Sequence, residues 1–179
     1  MTDETAAAEE AEDEAVPAGD PVEMRYGAIV DPAAADAVLH ATVENHLDAC
    51  AEAFADGFDQ LIDLTAVDYL TYAGTRVLPA GVEAERFEVV TQLISHHRRE
   101  RVRIRTHLAD GTELPSLFDL WPGAESLERE VFDMFGITFA DHPDMSRVLM
   151  PEDWVGHPLR KDYAVGSIPV QFKAASNER

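Results

Sequence analysis

Residues 101–108, RVRIRTHL, alternate strictly. Val102, Ile104, Thr106 and Leu108 point one way; Arg101, Arg103, Arg105 and His107 point the other. A period of two puts successive side chains on opposite faces of a strand. This segment must therefore be a strand with one face in a core and one face among polar groups. Asp110-Gly111 supplies the turn that ends it. Two more segments read as strands: residues 61–70, LIDLTAVDYL, with Asp63 and Asp68 near the ends, and residues 87–95, FEVVTQLIS. The intervening residues 71–86 hold Gly74, Pro79 and Gly81 and form a long hairpin connection. HHRRE then turns the chain into the alternating strand.

Helical signals flank these strands. Asp31-Pro32 has the form of a helix start, an N-cap acid followed by proline. Leu39, Val43, His46, Leu47, Cys50 and Phe54 follow at helical spacing up to Gly57, as one helix or two short ones. A short helix is expected at 116–121, broken by Pro122-Gly123. A longer one follows at 124–135, closed by Gly136. This order predicts an α+β fold: a two-layer domain with an N-terminal helix, an antiparallel or mixed sheet with three predicted strands, and a C-terminal helix. The expected units are a disordered acidic tail (1–23), the body (24–136) and an extended interaction arm (137–179).

The arm has neither helical nor strand period. Pro143, Pro151 and Pro158 punctuate it, yet it carries Val148, Leu149, Met150, Trp154, Leu159 and Tyr163. That is too much apolar surface for a disordered tail, so its burial is expected on something else.

The net charge is −21, and the first 23 residues hold nine acids and no base. An acidic body disfavours nucleic acid and anionic membrane, which carry the same sign. Five of the 14 basic residues lie between Arg98 and Arg105. They are expected to pair with acids across strands or on the acidic face of a partner. Cys50 is the sole cysteine, so no internal disulfide forms and the chain alone cannot hold a cysteine-ligated iron–sulfur cluster. A single thiol fits a reducing compartment. No secretory leader and no stretch of about 18 apolar residues is present, so membrane contact is expected only through partners. Dinucleotide fingerprint, P-loop and nucleophile elbow are absent.

One carboxylate stands out. At about 100° per residue, Glu128 falls between Phe132 and Phe135 in the apolar sector of the 124–135 helix. It is either an acid–base group with a raised pKa or a structural anchor for a basic arm residue such as Arg147, Arg160 or Lys161. Arg129 and Asp133 fall on the opposite face, spaced for an ion pair. Glu130 lies on the border. Asp141, His142 and Asp144, with His157 further on, match no zinc or di-iron spacing. His142-Pro143 and His157-Pro158 fit rigid turns.

From Phe58 to Tyr163 the chain resembles the C subunit of the bacterial type-I NADH dehydrogenase, respiratory complex I. The resemblance rests on FDQLIDLTAVDYL, RFEVVTQLIS and DLWPGAESLEREVFDMFGITFADHPDMSRVLMPEDWVGHPLRKDY. The motif residues are Glu128, Arg129, Glu130 and Asp133; His142, Pro143, Asp144 and Arg147; and Trp154, Gly156, His157, Pro158, Arg160, Lys161, Asp162 and Tyr163. Ala164 departs from the family's usual proline, and the acidic N-terminus is peculiar to this chain. The resemblance implies a non-catalytic structural subunit without a cofactor of its own. Flavin, iron–sulfur clusters, NADH and quinone belong to the proton-pumping complex. The implied partners are the D subunit, around which the arm wraps, and the other hydrophilic-arm subunits. The implied location is peripheral, on the cytoplasmic face of the cell membrane. An equivalent subunit of an F420H2 dehydrogenase or a membrane-bound hydrogenase is the alternative. A free-standing acid–base enzyme using Glu128, Glu130 and Asp133 is more remote.

Overall fold

The computed structural model describes residues 22–164. The expected acidic tail, up to residue 21, lies outside them. The elements are β1 (Met24–Arg25), β2 (Ala28–Val30), β3 (Ala37–Ala41), α1 (His46–Ala55), β4 (Gln60–Asp68), β5 (Phe87–Ser95), β6 (Glu100–Leu108), β7 (Leu114–Pro115), α2 (Ala124–Phe135) and β8 (Phe139–Ala140). Six strands form one mixed sheet in the order β1-β2-β3-β6-β5-β4. All its neighbours run antiparallel except β3 and β6, which are parallel. β7 and β8 make a separate parallel pair.

The alternating segment is β6, and it lies inside the sheet between β3 and β5. Val102, Ile104, Thr106 and Leu108 are buried, as the period requires. α2 packs against β4, and His46 of α1 hydrogen-bonds the Thr106 hydroxyl at 2.8 Å. Both helices thus lie on the side of the sheet that carries Ile104, and the fold is α+β in two layers.

Two expectations are corrected. The helix expected from Asp31-Pro32 does not form there. Asp31 Oδ1 instead accepts the Ala33 N–H at 2.9 Å, closing a local turn. Residues 37–41 become β3 and pair in register from Ala37↔Val102 to Ala41↔Thr106. Helix begins only at His46. Leu39 reads equally well on a helix or a strand; the partner that decides it is far along the chain. The short helix expected at 116–121 is absent, and these residues run as turns. The β4, β5 and β6 segments and α2 lie where the patterns place them. β1, β2 and β3 extend the sheet beyond the three expected strands.

Candidate functional site

α2 ends where it should. Gly136 adopts φ +78° and its N–H bonds Phe132 O at 2.8 Å. A methyl there would stand 2.8 Å from the His157 ring. The last carbonyls of the helix are then taken by the arm. His157 Nδ1 donates to Asp133 O at 3.0 Å, Leu159 N–H to Met134 O at 3.0 Å and Arg160 to Phe135 O at 3.3 Å. A helix C-terminus leaves such carbonyls without partners, so the arm is the cap of α2.

Asp133 is the centre of this clamp. It is 0% exposed, which corrects its expected place on the outer face with Arg129. Arg147 pairs with its Oδ1. Oδ2 accepts the N–H groups of Val148, Leu149 and Met150 at 3.1, 2.8 and 2.8 Å. Burial pushes its pKa up, but the Met150 N–H, Arg147 and the neighbouring N–H groups outweigh this and hold the carboxyl below its ordinary value. Arg147 continues to Gly156 O at 3.0 Å. Gly156 has φ +88°, and Tyr163 fills the space a side chain would need.

Arg129 turns instead to Glu125 at 2.9 Å and to the carbonyl and hydroxyl of Ser146 at 3.0 and 2.8 Å. Asp144 folds onto Ser146 N–H at 2.9 Å and gives its own N–H to His142 Nδ1 at 3.0 Å. His142 Nε2 donates to Glu125 O at 3.0 Å. Pro143 is exposed in the same turn.

Glu128 is 0% exposed, as the helical wheel requires, but its partners are not the expected basic residues. It accepts from Ser116 Oγ at 2.6 Å and Leu117 N–H at 2.7 Å, and His142 Nε2 stands 3.8 Å away. It therefore fixes the irregular segment before α2. Burial pushes its carboxyl above the ordinary value, against the pull of Ser116, Leu117 and His142. Glu130 and the side chain of Lys161 are exposed.

A second tie lies at the end of the arm. Arg160 grips Asp110 at 3.0 and 2.6 Å and Asp162 at 3.1 Å. Arg86 binds Asp68 through two nitrogens, at 3.1 and 3.0 Å, and reaches Asp110 and Asp162 at 2.9 Å each. Lys161 N–H completes Asp68 at 2.9 Å. Arg160 and Arg86 hold the Asp162 carboxyl down at about 2. The pattern of charges gave no warning of Asp68, Arg86 and Asp110 here, because they meet the arm only across 50 to 93 residues of chain.

Arg147, Arg160 and Asp162 and much of the arm's backbone are thus fastened to its own body, and Ile137, Phe139, Met145 and Met150 pack on the body's core, while other apolar side chains are left uncovered. Val148, Leu149, Val155 and Leu159 are 43, 58, 86 and 48% exposed. Trp154, Pro158 and Tyr163 are half-buried. Among the described residues, no group of three or more His, Cys, Asp or Glu is placed to hold a metal. The motif carboxylates Asp133 and Asp162 are occupied by cations of the same chain. The arrangement therefore clamps one segment onto another and displays an apolar surface beside the clamp.

This defines a class: a two-layer α+β domain whose helix α2 is capped by a proline-punctuated arm. The family described as "Respiratory-chain NADH dehydrogenase, 30 Kd subunit" matches residues 39–168, and the chain belongs to that family. The NADH-quinone oxidoreductase C subunit of Roseiflexus castenholzii is 52% identical over 113 residues, 63% of this chain and 59% of the relative. NADH-quinone oxidoreductase subunit 5 of Thermus thermophilus is 43% identical over 125 residues, 66% of this chain and 57% of that one. The C/D subunit of the same oxidoreductase in Acidiphilium cryptum is 48% identical over 107 residues, 59% of this chain and 17% of its own length. The chain spans about half the length of the first curated relatives it matches, from 44% for Salinispora tropica to 57% for Thermus thermophilus. A trypsin-resistant fragment of Nqo5 superposes with TM-score 0.56 at 34% identity, covering 69% of this chain and 88% of that one. The membrane-bound sulfane sulfur reductase, an archaeal respiratory membrane complex, contains a chain with TM-score 0.59 at 20% identity, covering 80% and 85%. At that identity the likeness is one of fold.

Proposed function

We propose that this chain is a cofactor-free structural and assembly subunit in the hydrophilic arm of a proton-pumping NADH:quinone oxidoreductase, and that its C-terminal arm docks onto the D subunit. Family membership supports the complex. The observation that carries the docking is the split inside the arm: polar groups consumed by the chain's own body, with Val148, Leu149, Val155 and Leu159 left facing out. Large apolar side chains held on a rigid base suit the core of an interface. The Acidiphilium cryptum relative carries both letters, C and D, in its name, which favours D as the partner. In this reading flavin, iron–sulfur clusters, NADH and quinone are bound by other subunits. The chain lies peripherally on the cytoplasmic side and touches the membrane only through partners. No described helix is long and apolar enough to cross a membrane.

The motif residues divide accordingly. Glu128, Arg129, Asp133, His142, Asp144, Arg147, Gly156, His157, Arg160 and Asp162 shape the docking surface from below. Glu130, Lys161 and the exposed apolar residues meet the partner. The test is a tagged chain carrying Leu149→Glu with Leu159→Glu, recovered in mild detergent, with the co-purifying proteins identified by mass spectrometry. The variant should stay folded and lose the D subunit. Full recovery of the D subunit with the double variant would refute the docking surface. Recovery of the wild-type chain with components of an F420H2 dehydrogenase or a hydrogenase would replace the complex named here by a related one.

A further inference from the structure

The sheet face opposite the helices holds a second buried polar system, separate from the arm. His40 of β3 and His107 of β6 are 3 and 7% exposed. His40 Nδ1 lies 2.9 Å from His107 Nε2. Arg76, in the connection between β4 and β5, places a guanidinium nitrogen 2.8 Å from His107 Nδ1. At the other end Asp31 Oδ2 is 3.5 Å from His40 Nε2.

The two ends fix every bond in this chain. An arginine can only donate. His107 Nδ1 must therefore accept, and its proton sits on Nε2. That proton is donated to His40 Nδ1. The proton of His40 is then on Nε2, facing Asp31. A second proton on either ring has to displace one of these bonds. On His107 it would set an N–H against the Arg76 guanidinium.

Arg76 also ties the middle of the connection, residues 69–86, to the sheet, while Arg86 anchors its far end on Asp68. Arg76 donates to Glu85 O within the connection at 2.8 Å and stacks on Tyr69 at 3.8 Å. Its two acceptors on the sheet are Glu88 of β5, at 2.8 Å, and His107. Glu88 is shared with Arg105 at 2.6 and 2.9 Å and stands 3.8 Å from His107. A cleft of about 420 Å³ separates the connection from the strand ends. His40 and His107 form part of its lining, and Glu44, Glu83 and Glu85 line it as well, so solvent protons have a route to the pair.

We propose that the His40–His107 pair is a proton-sensitive latch: uncharged, it helps Glu88 hold Arg76 and the middle of the connection on the sheet, and charged, it repels the guanidinium and loosens that hold, while Arg86 keeps the far end anchored. The electrostatics agree with this geometry. Burial lowers the pKa of both rings; Glu88 and Asp31 oppose it, and Arg76 and Arg105 add to it, leaving His107 at about 4. A group that resists its proton in the folded state keeps the latch closed above its ordinary pKa of about 6.5 and opens it as pH falls toward 4. The connection carries Leu70, Tyr72 and Val77, all exposed, so acid would move an apolar surface distinct from the arm.

The test is nuclear magnetic resonance on the full chain, following side-chain nitrogens of histidine and backbone amides as pH falls from neutral. At neutral pH both rings should carry the proton on Nε2. The amides of residues 69–86 should shift with the midpoint of His107. In Arg76→Gln that midpoint should rise by about one unit. His46, on the other face, should report in the α1 amides and not in residues 69–86. A proton on His107 Nδ1 at neutral pH would overturn the proposal. So would amides of residues 69–86 that stay fixed while His107 titrates, or an unmoved midpoint in Arg76→Gln. The wild-type titration decides the matter even if that variant fails to fold.

Discussion

Asp133 and Glu128 are both fully buried on α2, and they answer the cost of a buried carboxylate in different ways. Asp133 is charged against Arg147 and three N–H groups. Asp133→Asn leaves Arg147 without its counter-charge and offers one amide oxygen to a site built for two. It should cost about 3 kcal/mol in urea unfolding. Glu128 has only neutral hydrogen-bonding partners, a hydroxyl and an N–H, and burial raises its pKa. Burial works against its charge and no cation is paired with it, so Glu128→Gln should cost less than Asp133→Asn, about 1 kcal/mol. Glu128→Ala, which strands both donors beside a void, should cost about 2–4 kcal/mol. Equal losses from Asp133→Asn and Glu128→Gln would contradict this division. The position of Glu128 inside the apolar sector was visible from the helical period alone. The burial of Asp133 was not, because the arm that covers it has no period to place it.

At the scale of elements, α2 and the arm form one unit. The sequence predicts an arm that can be removed from a folded body. In the structure the arm supplies the donors for Asp133 O, Met134 O and Phe135 O, and it neutralises Asp133. A chain ending at Ala140 should keep its sheet, whose strands pair without the arm. It should nevertheless unfold at a clearly lower urea concentration, by about 2–5 kcal/mol, and lose hydrogen-exchange protection first in the last turn of α2. An unchanged midpoint would show that the cap contributes little. β3 makes the same point for strands. Its five residues, AVLHA, have no strong strand preference and lie where helical spacing also fits. Parallel pairing with β6, more than sixty residues later, decides the matter.

At the scale of the whole molecule, the buried histidines set the response to acid. Burial pushes His46 down to about 4, and His107 lies at about 4 as well. The unfolded chain takes these protons from about pH 6.5, the folded one only near 4, so stability is full above about 6.5 and falls between the two. Each ring can contribute on the order of 3 kcal/mol at most. Asp68 and Asp133, held below the ordinary carboxylate value, add their loss only as pH falls further. The urea midpoint should be flat down to about pH 7, decline below about 6.5 and steepen below about 4. A midpoint constant from neutral pH to about pH 4.5 would rule out the buried neutral histidines. What the sequence by itself determined is the local part: β6 from strict alternation, β5 and most of β4 from apolar runs, α2 and its glycine stop, and the family from the motif residues. Those features depend on neighbours a few residues away, which a single sequence displays. Only the tertiary structure decided that residues 37–41 are a strand, that Arg147 and Arg160 serve Asp133 and Asp110 rather than Glu128, and that His40 meets His107. Each of these pairings joins groups far apart in the chain, and burial makes the pairing strong only after the fold has brought them together.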